Sequence, residues 1–345
     1  MTQATGLRVF LTHSPEDLTA YFGRALPRLS QMATVVHNPT ERDLTTAELI
    51  EASAGCQVII AHRSTPGEAP LFDARPEVLA FLRTAVDIST IDVAAASAAG
   101  VAIGHAEKSF VPSTAELAIG LLLDLWRGIT ASSHDYRRGV EPPQRPGRQL
   151  RGKVAGIIGY GAIGSYLAQM LSGLGMRVLI HDTGDVDLAP GVESVGFDEL
   201  LRSSDAVFPL APALPETVDL IDAAALSLMR PGSVLVNVSR GELVDEDAVR
   251  DALDAGHLAG FGADVGRAPD QRPSRFLAER SDVVATPHLG GLTPENADAQ
   301  AMSAVDQVAA LIAGDMPPRI VNLEQANRLR AWWADGTAPP NPSSR

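Results

Sequence analysis

A chain of 345 residues, 45% hydrophobic and 20% charged, has the length of two globular domains and material for a sizeable core. Its net charge of -14 at pH 7 excludes the clustered lysine and arginine that bind nucleic acid or anionic membrane nonspecifically, so the expected partner is a small molecule or another protein. The one cysteine, Cys56, excludes an internal disulfide. Without Cys or His partners at ligand spacing it anchors no structural zinc, so it reads as buried filler and no metal is expected. The start, MTQATGLRVF, lacks the features of a signal peptide, and no apolar run reaches the roughly eighteen residues of a membrane span. A cytoplasmic location is therefore expected.

Short runs rich in Val, Ile and Leu alternate with longer stretches of helical period, the pattern of parallel βα units. LRVFL at 7–11 precedes SPEDLTAYFGRAL. There Ser14 can cap a helix, Pro15 suits its first position, and Glu16 and Asp17 favour its positive end. Further strands are predicted in ATVVH, QVIIA and GVAIG, with a helix opening on the capping box TTAE at 45–48 ahead of the second. This lobe ends near residue 104. One long helix is predicted from Pro112 to about Arg138, followed by an exposed Pro/Gly connection, RGVEPPQRPGRQLRG. A second series starts at Lys153, with candidate strands KVAGIIG, MRVLIHD, DAVFPL, GSVLVNVS, HLAGFGADV and SDVVATP. A last helix covers about 294–313, and the tail ADGTAPPNPSSR has the composition of disorder.

VAGIIGYGAIGSYLAQML places Gly159, Gly161 and Gly164 in GxGxxG spacing between an apolar strand and a helix. The first glycine permits the tight turn, the second lets backbone approach a pyrophosphate, and the third lets helix and strand pack closely. MRVLIHD ends on Asp182, placed to accept from the ribose diol of an adenosine and to repel a 2′-phosphate, which favours NAD over NADP. The mid-chain position of the motif disfavours a flavin.

Two side chains follow apolar strands and so point toward the crevice where open α/β sheets bind ligands. Arg240, in VNVSRGELVDEDAV, could clamp a carboxylate through two hydrogen bonds and polarise an adjacent carbonyl, or could pair at the surface with Glu242 or Asp245. His288, in VVATPHLGGLTPENA, precedes two glycines and a helix start at Thr293-Pro294. Its near-neutral titration suits proton transfer to and from a carbonyl oxygen.

Four segments, GIIGYGAIG, LMRPGSVLVNVSRGELVDEDAV, HLAGFGADV and VVATPHLGG, give the second series a resemblance to the D-isomer-specific 2-hydroxyacid dehydrogenases over most of residues 112–313. The resemblance implies an α/β protein of two Rossmann-like or flavodoxin-like domains. An NAD-binding domain at 105–291 would be inserted into a catalytic domain made of 1–104 plus 292–330, with 331–345 as a tail. It also implies a homodimer formed through the coenzyme domains. Carried over by residue, Arg240 resembles the substrate-binding arginine and His288 the acid/base histidine, while Asp264 resembles the contact to the nicotinamide carboxamide. Pro212, with Thr217 closing its motif, resembles a wall of the nicotinamide pocket. Tyr160, Ala162, Ile163, Val238, Ser239 and Gly290 join the expected cofactor contacts, and Arg63 and Ser64 the substrate contacts.

The sequence departs from the family in two places. The glutamate expected five residues after Asp264 is replaced by Pro269; Asp270, one residue on, is the stand-in acid for His288, with Gln271 as a further candidate and no side-chain partner as the alternative. The glycine-rich turn that binds substrate carboxylate is replaced by Ala85, Val86, Asp87, Ile88 and Ser89. Asp87 would repel an anionic substrate unless a cation such as Arg63 intervenes. Either Asp87 turns away, or the substrate offers it a hydroxyl or amine. The expected activity is interconversion of a 2-keto acid and a D-2-hydroxy acid with NAD; the alternative is an NAD-sensing scaffold like the corepressors built on this fold. A phosphoglycerate dehydrogenase with a C-terminal regulatory domain is not expected, because the chain stops twenty residues after RIVNLEQ. Trp332 and Trp333 have no role readable from sequence.

Overall fold

The alternation of apolar runs with helical stretches builds two parallel sheets, and the computed structural model describes residues 6–335. The chain divides into two compact units, one formed by residues up to Ser109 together with those from Pro294 on, the other by Phe110–Thr293.

The first unit carries β1 (Arg8–Leu11), β2 (Thr34–His37), β3 (Val58–Ala61), β4 (Ala80–Arg83) and β5 (Ala102–Gly104), all parallel, in the order β2-β1-β3-β4-β5. Alternate residues face opposite sides. Val9, Leu11, Val58, Ile60 and Leu82 meet Val305, Val308 and Leu311 of the helix Pro294–Ala313, while Phe10, Ile59, Phe81 and Ile103 meet Leu49, Leu71 and Phe72. Strand β4 is absent from the sequence expectations. It is only four residues long and ends in Arg83, a residue rarely buried without partners. Ser14 caps Pro15–Asp17 as expected, but after one turn the chain widens into a π-helix at Leu18–Phe22 before Leu26–Met32 resumes. The Thr45–Glu48 capping box forms on both its bonds. Where a tail was expected from residue 331, the helix Asn327–Ala334 packs Trp332 and Trp333 against the core, and Trp333 Nε1 donates to the Leu311 carbonyl at 3.0 Å. Residues 336–345 of the expected disordered tail lie outside the described residues.

The second unit carries β6 (Val154–Ile158), β7 (Arg177–His181), β8 (Val192–Ser194), β9 (Ala206–Pro209), β10 (Ser233–Asn237), β11 (Leu258–Ala263) and β12 (Val283–Ala285), parallel in the order β12-β11-β10-β9-β6-β7-β8. The strand order reverses at β6, so β6 and β9 flank the crevice where such sheets bind ligands. The single helix expected over 112–138 is two. Val111–Arg127 ends where Gly128 turns left-handed at φ 62° and donates its N–H to the Asp124 carbonyl, and Ile129–Arg137 starts afresh. Apolar periodicity continues across the glycine, which is why the pattern alone does not reveal the break. Among the described residues no helix is long and apolar enough to cross a membrane.

Candidate active site

The loop after β6 has the form its glycines dictate. Gly159 sits at φ 97° against the Leu210 and Ala211 backbone, and a Cβ on Gly164 would collide with the Gly159 carbonyl oxygen. A Cβ on Gly161 would instead meet open space at the N-terminus of Ala162–Gly173, where first-turn N–H groups, including those of Ala162 and Ile163, favour an anion. Asp182, just past β7, accepts from the Tyr160 N–H at 2.6 Å and the Gly184 N–H at 2.8 Å. These two amides hold its carboxyl below the usual range, so it is ionised at neutral pH. Open space at Gly161, a helix N-terminus and a fixed carboxylate at the next strand end fit a nicotinamide dinucleotide.

Past β9, Pro212 is exposed, and the Thr217 hydroxyl closes its loop by donating to the Pro212 carbonyl at 2.7 Å and accepting the Leu214 N–H at 2.8 Å. Val238 is buried, and Ser239 donates to the Ala211 carbonyl at 3.3 Å, tying the ends of β9 and β10 together.

Arg240, Asp264 and His288 follow the neighbouring strands β10, β11 and β12, and hydrogen bonds link them in that order. Asn237 Nδ2 donates to the Arg240 carbonyl at 2.9 Å, the Asp264 N–H donates to the Asn237 carbonyl at 3.0 Å, and the His288 N–H donates to the Asp264 carbonyl at 2.9 Å. Arg240 pairs with neither Glu242 nor Asp245. Its Nη1 donates to the Ser239 carbonyl, while Glu242 accepts from Gln271 and Asp245 caps Glu246–Asp254. Arg240 is exposed. Asp264 is fully buried, and its carboxylate accepts from Thr286 Oγ1 and the Leu289 N–H, each at 2.6 Å, and from the Gly290 N–H at 2.8 Å. Through these bonds the carboxylate braces the His288 loop.

The partner of His288 is a correction. Nδ1 lies 3.0 Å from the main-chain carbonyl of Asp270, not from its carboxylate. A carbonyl only accepts, so Nδ1 carries a proton and the bond leaves Nε2 unused. The loop path explains the exchange. Asp270 and Gln271 both adopt left-handed φ, 60° and 56°, as does His288 at 62°. Such residues are costly and gather at functional sites. Gln271 Nε2 is committed to Glu242 at 2.9 Å. Sequence reasoning missed what pins this loop: buried Glu246 accepts from the Arg267 and Ser274 N–H groups, each at 3.3 Å, and from the Ser274 hydroxyl.

Arg63 and Ser64 lie in the first unit, just past β3. Arg63 is exposed, and the Ser64 hydroxyl is 2.8 Å from His62 Nδ1. Asp87 accepts from the Ser89 N–H at 2.9 Å. The cation most fixed near this turn is Arg83, which sequence reasoning did not identify. Fully buried at the end of β4, it donates to the carbonyls of His62 and Thr65 and to Thr90 Oγ1. Burial pushes its pKa down to about 10, against the opposing pull of the Asp87 carboxylate.

The model of the D-isomer specific 2-hydroxyacid dehydrogenase NAD binding domain matches residues 119–290. A glyoxylate reductase of Korarchaeum cryptofilum is 31% identical over 284 residues, 80% of this chain and 86% of that one. The chain belongs to the D-isomer-specific 2-hydroxyacid dehydrogenase family. A D-3-phosphoglycerate dehydrogenase of Mycobacterium leprae is 33% identical over 297 residues, 84% of this chain and 56% of that one. The chain thus spans about half the length of such phosphoglycerate relatives. Among solved structures, a D-isomer specific 2-hydroxyacid dehydrogenase described as putative, from Polaromonas sp. JS6 66, matches with a TM-score of 0.82 and 26% identity over 92% of this chain and 99% of that one.

Proposed function

We propose that the chain is an NAD-dependent oxidoreductase that interconverts a small 2-keto acid and its D-2-hydroxy acid. The observation that carries this reading is His288, fixed through Nδ1 with Nε2 left for proton transfer at the carboxyl edge of a dinucleotide-type sheet. When bound, the dinucleotide supplies or accepts a hydride at C2 of the substrate. In reduction, the doubly protonated imidazole of His288 gives its Nε2 proton to the carbonyl oxygen and keeps the Nδ1 proton on the Asp270 carbonyl. In oxidation, neutral Nε2 takes the hydroxyl proton back. Arg240 holds the substrate carboxylate with two donors and polarises the adjacent carbonyl. Arg63 and Ser64 are the further expected substrate contacts. Pro212, Thr217, Val238 and Ser239 shape the nicotinamide side, and Asp264 and Gly290 join them as cofactor contacts while also bracing the histidine loop. The ionised Asp182 favours NAD over NADP. Exposed Ile129 and Tyr136 support a homodimer through the second unit.

The test follows NADH oxidation with glyoxylate, hydroxypyruvate, pyruvate and bulkier 2-keto acids. Turnover with one or more is expected, and His288→Asn should lower kcat by roughly 10²–10⁴-fold while NADH still binds. NADH binding without turnover of any keto acid would replace the enzyme with a cofactor-sensing scaffold.

A further inference from the structure

In the first unit the strand order turns at β1, which lies between β2 and β3, and sheets of this order bind ligands at the carboxyl ends beside that switch point. Three side chains that the proposed reaction does not use meet there. Asp17 belongs to the first turn after β1, Asp43 to the loop after β2, and His62 directly follows β3. One ligand atom of each lies within 4.8 Å of the others.

We propose that Asp17, Asp43 and His62 bind a divalent cation of the zinc class. His62 Nε2 faces Asp17 Oδ1 at 3.9 Å, beyond hydrogen-bond reach. Metal–ligand bonds of about 2.0–2.2 Å put two donors of one ion about 3–4 Å apart, so a small closure of this triad completes the shell, with water at the remaining position. The Ser64 hydroxyl, 2.8 Å from Nδ1, can accept the Nδ1 proton and leave Nε2 as a lone pair, the outer-shell hydrogen bond typical of a ligating histidine. The other oxygen of Asp17 is steadied by the Ser14 hydroxyl at 2.7 Å.

A second imidazole lies beside the triad. His13 is 2% exposed, its ring centroid is 5.2 Å from that of His62, and its Nδ1 has no hydrogen-bond partner. Unsatisfied buried nitrogens are uncommon and call for an explanation. Burial holds the His62 pKa below its ordinary value, against the Asp17 and Asp43 carboxylates that raise it and with Arg63 and Arg83 that lower it. Imidazole with two carboxylates suits a borderline ion such as Zn²⁺, whereas an all-oxygen shell would suit Mg²⁺.

The inference is independent of the oxidoreductase reading. Its test titrates the chelator-stripped, tag-free chain with ZnCl₂ by calorimetry and with Co²⁺ by visible absorption. One saturable site is expected. His62→Ala and Asp43→Asn should each weaken zinc binding at least tenfold and remove the Co²⁺ bands, while both variants keep a single cooperative thermal transition. Because Asp43 is exposed, its variant gives a reading even if His62→Ala misfolds. Three outcomes would overturn the proposal: no saturable zinc binding, zinc binding unaltered in Asp43→Asn, or Mg²⁺ binding as tightly as zinc.

Discussion

His288 leans on a main-chain atom, so under the proposed reading the side chain at 270 carries little of the proton chemistry. Asp270→Asn retains the carbonyl, and Asn tolerates the left-handed backbone found here. Its pH–rate profile for keto-acid reduction should superimpose on that of the parent, with kcat within about twofold; a displacement of a full pH unit would assign the role to the carboxylate after all. Asp270→Val should be far worse, because a β-branched residue resists φ near 60°. Residue identity made His288, Arg240 and Asp182 readable in the sequence, since each follows an apolar strand. The carbonyl at 270 was not readable, because every residue has one and only the path of the loop decides which is used. Asp264 was legible as a site residue, but its three donors come from a loop more than twenty residues later.

At the scale of elements, strands came through wherever Val, Ile and Leu ran together, as in β3 and β10, because burial on both faces leaves little room for polar residues. Elements were lost where one residue outweighs a pattern: Arg83 disguises β4, and Gly128 divides a continuous apolar period. The helix Asn327–Ala334 was hidden by the tail composition beside it. It docks through Leu329, Trp332 and Trp333, so it should contribute measurably to the first unit. Trp333→Ala removes partly buried aromatic surface and the donor to Leu311, and should cost about 2–4 kcal/mol in urea unfolding. A loss under 0.5 kcal/mol would make the docking incidental.

For the whole molecule, the four motif segments sufficed to indicate the family and two α/β sheets, because their glycines and strand-end polar residues serve one dinucleotide-binding geometry. Self-association was implied only by resemblance, and the structure adds Ile129, 57% exposed, and Tyr136, 60% exposed, on one helix. Sedimentation should find about twice the 36.3 kDa chain mass, and Ile129→Asp should shift the protein toward the monomer without loss of its thermal transition. A parent that sediments as a monomer would remove the homodimer. The division of the chain also has a temporal side. Residues 110–293 form their unit from one continuous stretch, whereas the first sheet takes part of its cover from Val305, Val308 and Leu311. As the chain leaves the ribosome, the face bearing Val9, Leu11 and Ile60 is made first and receives that cover last. The strands up to Gly104 must therefore wait, part of their apolar face wet, until the helix Pro294–Ala313 has been synthesised.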